Sequence, residues 1–244
     1  MTVLLVAHGT RDSRGVESAY RLADAIGRRR SESVSVSFVD VVGPSPSEVL
    51  AELPDGPVTV LPAFLARGHH VRVDVARHVA RVDRPVRIAA ALGPSRMLAL
   101  ALMIRLAEAG TTRNEAVVLA AAGSSDPAAH RDVEDAARLL AARLGAPVRI
   151  AFASASPDGP YRSVPETVRL MRENAPHRRI AVASYLLADG LFQRRLDDSG
   201  ADVVARPLGL AEPVIDLACA RIAAAQPQPE TRISDRRRRA GIPV

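Results

Sequence analysis

Two stretches of the chain place imidazole where an apolar segment gives way to a turn. The first, VLLVAHGTRDSRG at 3–15, runs into His8, Gly9 and Arg11; the second, PAFLARGHHVRVDV at 62–75, runs through Gly68 into His69 and His70. Neutral imidazole is a good ligand for borderline divalent metals such as Fe(II), Co(II), Ni(II) and Zn(II), and off the metal it can move a proton near neutral pH. The single cysteine, Cys219, sits in the apolar segment VIDLACARIAA, so neither a disulfide framework nor a thiolate cluster is available. Any metal must be held by nitrogen or oxygen. Spacing favours His70 over His69. If a helix starts near Val71, His70, Asp74 and His78 share one face while His69 points elsewhere. Asp74 is then expected to orient an imidazole or supply a weak oxygen ligand, and Asp40, ending the second strand, to stand at the same rim. His130 and His177, in polar surroundings, are expected at the surface.

These residues need elements that bring positions sixty apart to one place. Strand-like segments at 3–7, 33–39, 58–64 and 86–92 alternate with helical patterns, which favours a parallel, doubly wound sheet. In such a sheet the carboxyl ends of the strands face one crevice, where the loops after the first and third strands can meet. Val16, Ala19, Tyr20, Ala23 and Ile26 fall on one helical face, Pro46 opens a second helix, and PSRMLALALMIRLAEAG is expected to close the unit at Gly110. The pattern then restarts. AVVLAAAGSSDP at 116–127 echoes TVLLVAHGTRDS, Val133, Ala136, Ala137, Leu140 and Leu144 mark the next helix face, and RIAVASYLLADG at 179–190 echoes VTVLPAFLARG. The expected fold is α/β, with two duplicated doubly wound parallel-sheet domains at 1–112 and 113–225 and a basic, disordered tail at 226–244. Aligned on their glycines, Gly9 with Gly123 and Gly68 with Gly190, the halves differ in their histidines: His8 falls opposite Ala122 and His70 opposite Phe192. Chemistry is therefore expected in the first half alone.

Composition narrows the partners. The formal charge of +6 and the pI near 10.7 point toward nucleic acid only at first sight, because the tail alone holds five arginines against Glu230 and Asp235. With 3% aromatic residues, stacking platforms for single strands are scarce, and no nucleic-acid partner is expected. Apolar runs are strand-length and broken by charge or proline, and MTVLLVAHG is too short for a signal peptide, so the expectation is a cytoplasmic protein with no membrane partner. The chain has no lysine and no glycine-rich phosphate loop, which counts against ATP-driven chemistry. No G-x-S-x-G elbow is present, and Ala7 stands where a histidine phosphatase carries arginine before its histidine.

Taken together, VAHGTRDSRG and PAFLARGHHVRVD resemble the sirohydrochlorin chelatases of the CbiX/SirB type (class II chelatases), over roughly 2–224 and in the long form that contains both halves. Short members of that family dimerise. The resemblance implies a chelatase-like fold and ATP-independent insertion of Fe(II) or Co(II) into sirohydrochlorin, in siroheme or cobalamin biosynthesis. It puts the metal-binding and catalytic histidines at His8 and His70, with Asp74 at the family's acidic position. The divalent metal is then a substrate, with no tightly bound cofactor, and the chain a monomer or weak homodimer. The tetrapyrrole is rich in carboxylates, which suits Arg11, Arg14, Arg67 and Arg72 beside the histidines. A non-catalytic metal or tetrapyrrole carrier on the same scaffold is the rival reading.

Overall fold

In a computed structural model of the chain, which describes residues 2–68, 73–112 and 114–226, valine-rich segments pair into two sheets of the same layout. Strands β1 (Thr2–Ala7), β2 (Val34–Phe38), β3 (Val58–Pro62) and β4 (Val86–Ile88) form a parallel sheet in the order β2-β1-β3-β4. Strands β5 (Ala116–Ala121), β6 (Val148–Phe152), β7 (Ile180–Tyr185) and β8 (Val203–Val204) repeat it as β6-β5-β7-β8. We call each sheet with its half of the sequence a lobe. In each, the second strand lies on one side of the first and the third on the other, so the winding reverses between the first and third strands and a crevice opens at their carboxyl ends. The register sets Val6 beside Pro62, and the Ala63 N–H donates to the Val6 carbonyl at 2.8 Å. Residues 8 and 64 therefore leave adjacent strand tips.

Helix starts follow local chemistry. Asp12 caps α1 (Ser13–Arg30) by accepting the Arg14 N–H at 3.1 Å. Ser45 and Glu48 form a reciprocal capping box on α2 (Pro46–Glu52), and Asp126 caps α5 (Pro127–Leu144). The other helices are α3 (Val75–Val79), α4 (Arg96–Glu108), α6 (Val164–Asn174), α7 (Leu191–Asp197) and α8 (Glu212–Ala225). Strand alternation divides the core. Leu4 and Val6 face outward with residues of α2 and α3, Val118 and Ala120 face outward with those of α6 and α7, and Val3, Leu5, Val117 and Leu119 face a core common to both sheets.

That common layer differs from the expectation in one respect. α4, which the sequence pattern has closing the first unit, packs on α5 and β7 of the second lobe, and α8 crosses back to pack on β3 and α1 of the first. Both helices are apolar on nearly every side, as RMLALALMIRLAE and EPVIDLACARIAAA show, so each can be buried between two layers. Tyr20 also departs from expectation. It lies at the flank of the inward stripe of Leu22, Ala23 and Ile26, 45% exposed, with its ring edge toward Phe38 at 6.2 Å. Among the described residues no helix is long and apolar enough to cross a membrane. His69, His70, Val71, Arg72 and the tail from 227 lie outside the described residues.

Candidate functional site

The tip of β1 is built around a glycine. Gly9 has φ of +99°, and a side chain there would place its Cβ 2.0 Å from the Asp40 carbonyl oxygen. Only glycine lets the two strand ends approach so closely. The approach continues the ladder past β1 and β2, with the Val39 N–H donating to Ala7 O at 3.1 Å and the Asp40 N–H to His8 O at 3.0 Å. The backbone of His8 is thereby fixed at the strand tip. Asp40 stands beside it, but its carboxylate accepts the Val41 N–H at 2.8 Å, inside its own turn. The Val42 N–H bonds Asp40 O at 2.7 Å, closing a three-residue turn around Val41, whose φ of 69° is strained for a β-branched residue.

His8 lines a cleft of about 910 Å³ between the two lobes, within the range that small-molecule sites occupy. The opposite wall comes from the second copy. Ala122 and Phe192, the counterparts of His8 and His70, line the same space, together with Leu186, Leu187 and Leu191. One wall thus carries imidazole and the other is apolar. Arg11, Arg21, Arg105, Arg194 and Arg206 also line the cleft, against Asp12 and Asp189, giving it a net basic rim in which Arg194 pairs with Asp12 and Arg105 and Arg206 pair with Glu108. Of these arginines only Arg11 was expected. The other four are scattered over both halves, and only the lobe arrangement gathers them; the echo of the 58–68 segment at 179–190 was the one sequence signal that pointed to that side.

The remaining expected residues have varied placements. Arg14 does not line the cleft; it holds Asp12 through Nε at 3.3 Å and Nη2 at 3.1 Å, while Arg194 reaches the same carboxylate from the second lobe at 2.7 Å. These two guanidinium groups, Arg14 first, hold the Asp12 carboxyl well below the usual carboxylate range. Arg67 points across the lobe boundary to Asp132, to which it donates from its backbone N–H at 2.7 Å, Nε at 3.0 Å and Nη2 at 2.7 Å. Its carboxylate partner is therefore within the protein. Asp74 pairs with Arg77 at 3.0 Å in the turn that leads into α3. His78 meets the Ser47 hydroxyl of α2 through Nδ1 at 2.9 Å, and burial, then the nearby Arg81 charge, push its pKa down. His70 and Arg72 lie outside the described residues. Among the described residues no three metal-ligating side chains converge.

His177 is exposed, as expected, but His130 is not an ordinary surface residue. Its ring lies 5.6 Å from that of Phe152 and 5.5 Å from that of Tyr161, and its Nε2 is 2.6 Å from the Ser124 carbonyl oxygen. The helix face that carries it turns toward Phe152 at the end of β6 and Tyr161 beyond it, which the polar local sequence does not reveal.

Comparisons with known proteins agree with this architecture. The CbiX family model matches the chain twice, over 2–109 and 116–225. SirB from Bacillus subtilis with Fe3+ is similar at a TM-score of 0.75 and 22% identity, over 92% of this chain and 94% of that one. A cobalt complex of SirB from Bacillus subtilis subspecies spizizenii gives 0.68 and 19%, over 92% and 94%. CbiX, the terminal enzyme for biosynthesis of siroheme in denitrifying bacteria, gives 0.70 and 21%, over 93% and 100%. At these identities the likeness speaks for the fold. No curated relative matches the sequence.

Proposed function

Because the chain belongs to the CbiX family, we propose that it is a sirohydrochlorin chelatase, inserting Fe(II) or Co(II) into the macrocycle without ATP, with one active site per chain in the first lobe. The observation that carries this reading is the asymmetry of the cleft. His8 faces a space whose far wall is apolar where the second copy has Ala122 and Phe192, and arginines rim it. A flat, apolar ring with acidic side chains needs such a pairing of wall and rim. The SirB neighbours that hold Fe3+ and cobalt support both metals as candidate substrates.

Insertion exchanges two pyrrole N–H protons for a divalent cation, and no electron moves. In this reading His8 and His70 hold the metal with coordination positions open to the ring nitrogens, and the two imidazoles, once freed from the metal, accept the two departing protons and pass them to solvent. Asp74 and Asp40 are assigned in this reading the part of orienting or proton-relaying carboxylates. Arg11 is the expected substrate arginine best placed for the ring's carboxylates, joined by Arg21 from the cleft lining, whereas Arg206 pairs with Glu108 at 3.2 Å.

The test is anaerobic metalation of sirohydrochlorin followed by absorbance, with each metal, for the native chain, His8→Ala and His70→Ala. Each variant is expected to lose about 100-fold or more in rate. Full rate in both variants would overturn the site, and a spectral change only stoichiometric with protein would favour a carrier.

A further inference from the structure

The second lobe lacks counterparts of His8 and His70 yet keeps its fold, and, besides the packing of α4 and α8, it makes several contacts with one segment of the first lobe. Residues 65–68, which lead directly to His69 and His70, are held at three points. The Leu65 carbonyl accepts the Tyr185 hydroxyl at 2.9 Å, in a joint so close that a Cβ on Gly93 would lie 1.9 Å from Leu65 O and 2.6 Å from Tyr185 Oη. The buried Asp132 takes three hydrogen bonds from Arg67, one of them from the backbone N–H. Gly68 lies against the first turn of α5 and the loop before it, where an added Cβ would be 3.7 Å from Ala129 Cβ and 3.9 Å from Ser124 Oγ.

The same alignment that separates the histidines separates these contacts. Arg67 corresponds to Asp189 and Asp132 to Ser18, a pair that cannot reproduce the ion pair, and Tyr185 corresponds to Ala63, which has no hydroxyl. The opposite tie, Arg194 to Asp12, forms at a different register, beyond Gly190. The clamp is thus confined to the loop that carries histidine.

We propose that Asp132 and Tyr185 of the second lobe are positioning residues for the metal site, fixing 65–68, the segment of chain that runs directly into the histidine pair. This rests on the functional reading above. It assigns the lobe without counterparts of His8 and His70 a task in metal binding, acting through Arg67 and the Leu65 carbonyl rather than by touching the metal. Outer partners that orient ligands typically change metal affinity by about 10-fold to 100-fold when removed.

The experiment uses the full chain with Co(II) alone as probe, read by absorbance, and amide hydrogen exchange at 65–68. Asp132→Asn, which keeps the shape of the side chain, and Arg67→Ala, whose side chain is largely exposed, are both expected to weaken Co(II) binding about 10-fold or more and to speed exchange at 65–68 by a similar factor. The double variant is expected to fall well short of the sum of the two single losses, since both remove the side-chain ion pair and differ only in the backbone N–H bond that Arg67→Ala leaves in place. Tyr185→Phe is expected to act in the same direction, while binding of metal-free sirohydrochlorin stays within about two-fold of native, which a general loss of folding would not allow. Native Co(II) affinity or native exchange in both Asp132→Asn and Arg67→Ala overturns the proposal. The two readings fail differently. Native affinity in His8→Ala and His70→Ala overturns the metal site and this proposal with it, whereas loss in those variants with native affinity in Asp132→Asn overturns the clamp alone.

Discussion

Gly9→Ala isolates what the approach of two strand ends contributes, because the fold contains its own control. An added methyl would start 2.0 Å from the Asp40 carbonyl oxygen, where contacts under 3.0 Å are essentially never seen, so the Asp40 turn must withdraw by about 1 Å. That displacement breaks or stretches the Asp40 N–H to His8 O bond, a loss of about 1 kcal/mol, and holding alanine near φ of +99° adds about 1–3 kcal/mol. The lower entropy of unfolded alanine returns about 0.5 kcal/mol. The net is about 1.5–3.5 kcal/mol, measurable as a shift in urea midpoint by circular dichroism. Gly123→Ala meets the same obstacle, with φ of +116° and a Cβ 2.1 Å from the Ser154 carbonyl oxygen, in the lobe that carries Ala122 instead of histidine. The two substitutions are expected to destabilise alike, while only Gly9→Ala displaces His8 and slows metalation, by about 100-fold for a shift near 1 Å. Stability within about 0.5 kcal/mol of native for Gly9→Ala would refute the steric reasoning. Equal loss of metalation in the two variants would refute the placement of chemistry at the first strand tip.

Val41→Gly relieves the positive φ of a half-exposed valine and is expected to stabilise the chain by about 1 kcal/mol, raising Tm by about 2–4 °C in calorimetry. A fall in Tm would mean that packing of the Val41 side chain outweighs the strain. Burial, and then the Glu134 carboxylate it bonds, push the Tyr161 pKa from 10.0 up to about 12. The folded value lies above the unfolded one, so this contribution to stability is complete below pH 10 and is lost as the pH rises toward 12. Tyr161→Phe is expected to flatten the stability profile over that window, in chemical denaturation at a series of pH values; an unchanged slope would show that Tyr161 is not the group responsible.

Much of the scaffold was legible because local chemistry and periodicity agree there. Pro46 after Ser45 marks the start of α2, the stripe from Val133 to Leu140 is the buried face of α5, and the valine runs become β1, β2 and β3. The adjacency of the tips beyond Val6 and Pro62 followed from the alternation of strands and helices alone. What escaped was everything set by the meeting of the lobes. An arginine beside a histidine motif reads the same whether it awaits a ligand or pairs with Asp132, sixty-five residues away. Arg194 and Arg206 gave no local sign because their neighbours at the cleft come from the other half. The exchange of α4 and α8 left a trace in their all-round apolar composition, which says that a helix is covered on both sides but not by which sheet.

That exchange has a consequence for how such a chain can be divided. A half-length copy would carry its last helix away from its own third strand and leave that strand's inner face bare, unless a twin supplied the missing cover. Two twins would satisfy each other only at concentrations that keep them together. In a single polypeptide both partners are always present, so the covering of β3 by α8 survives any dilution, and a cut between the halves would restore the dependence on encounter that continuity removes.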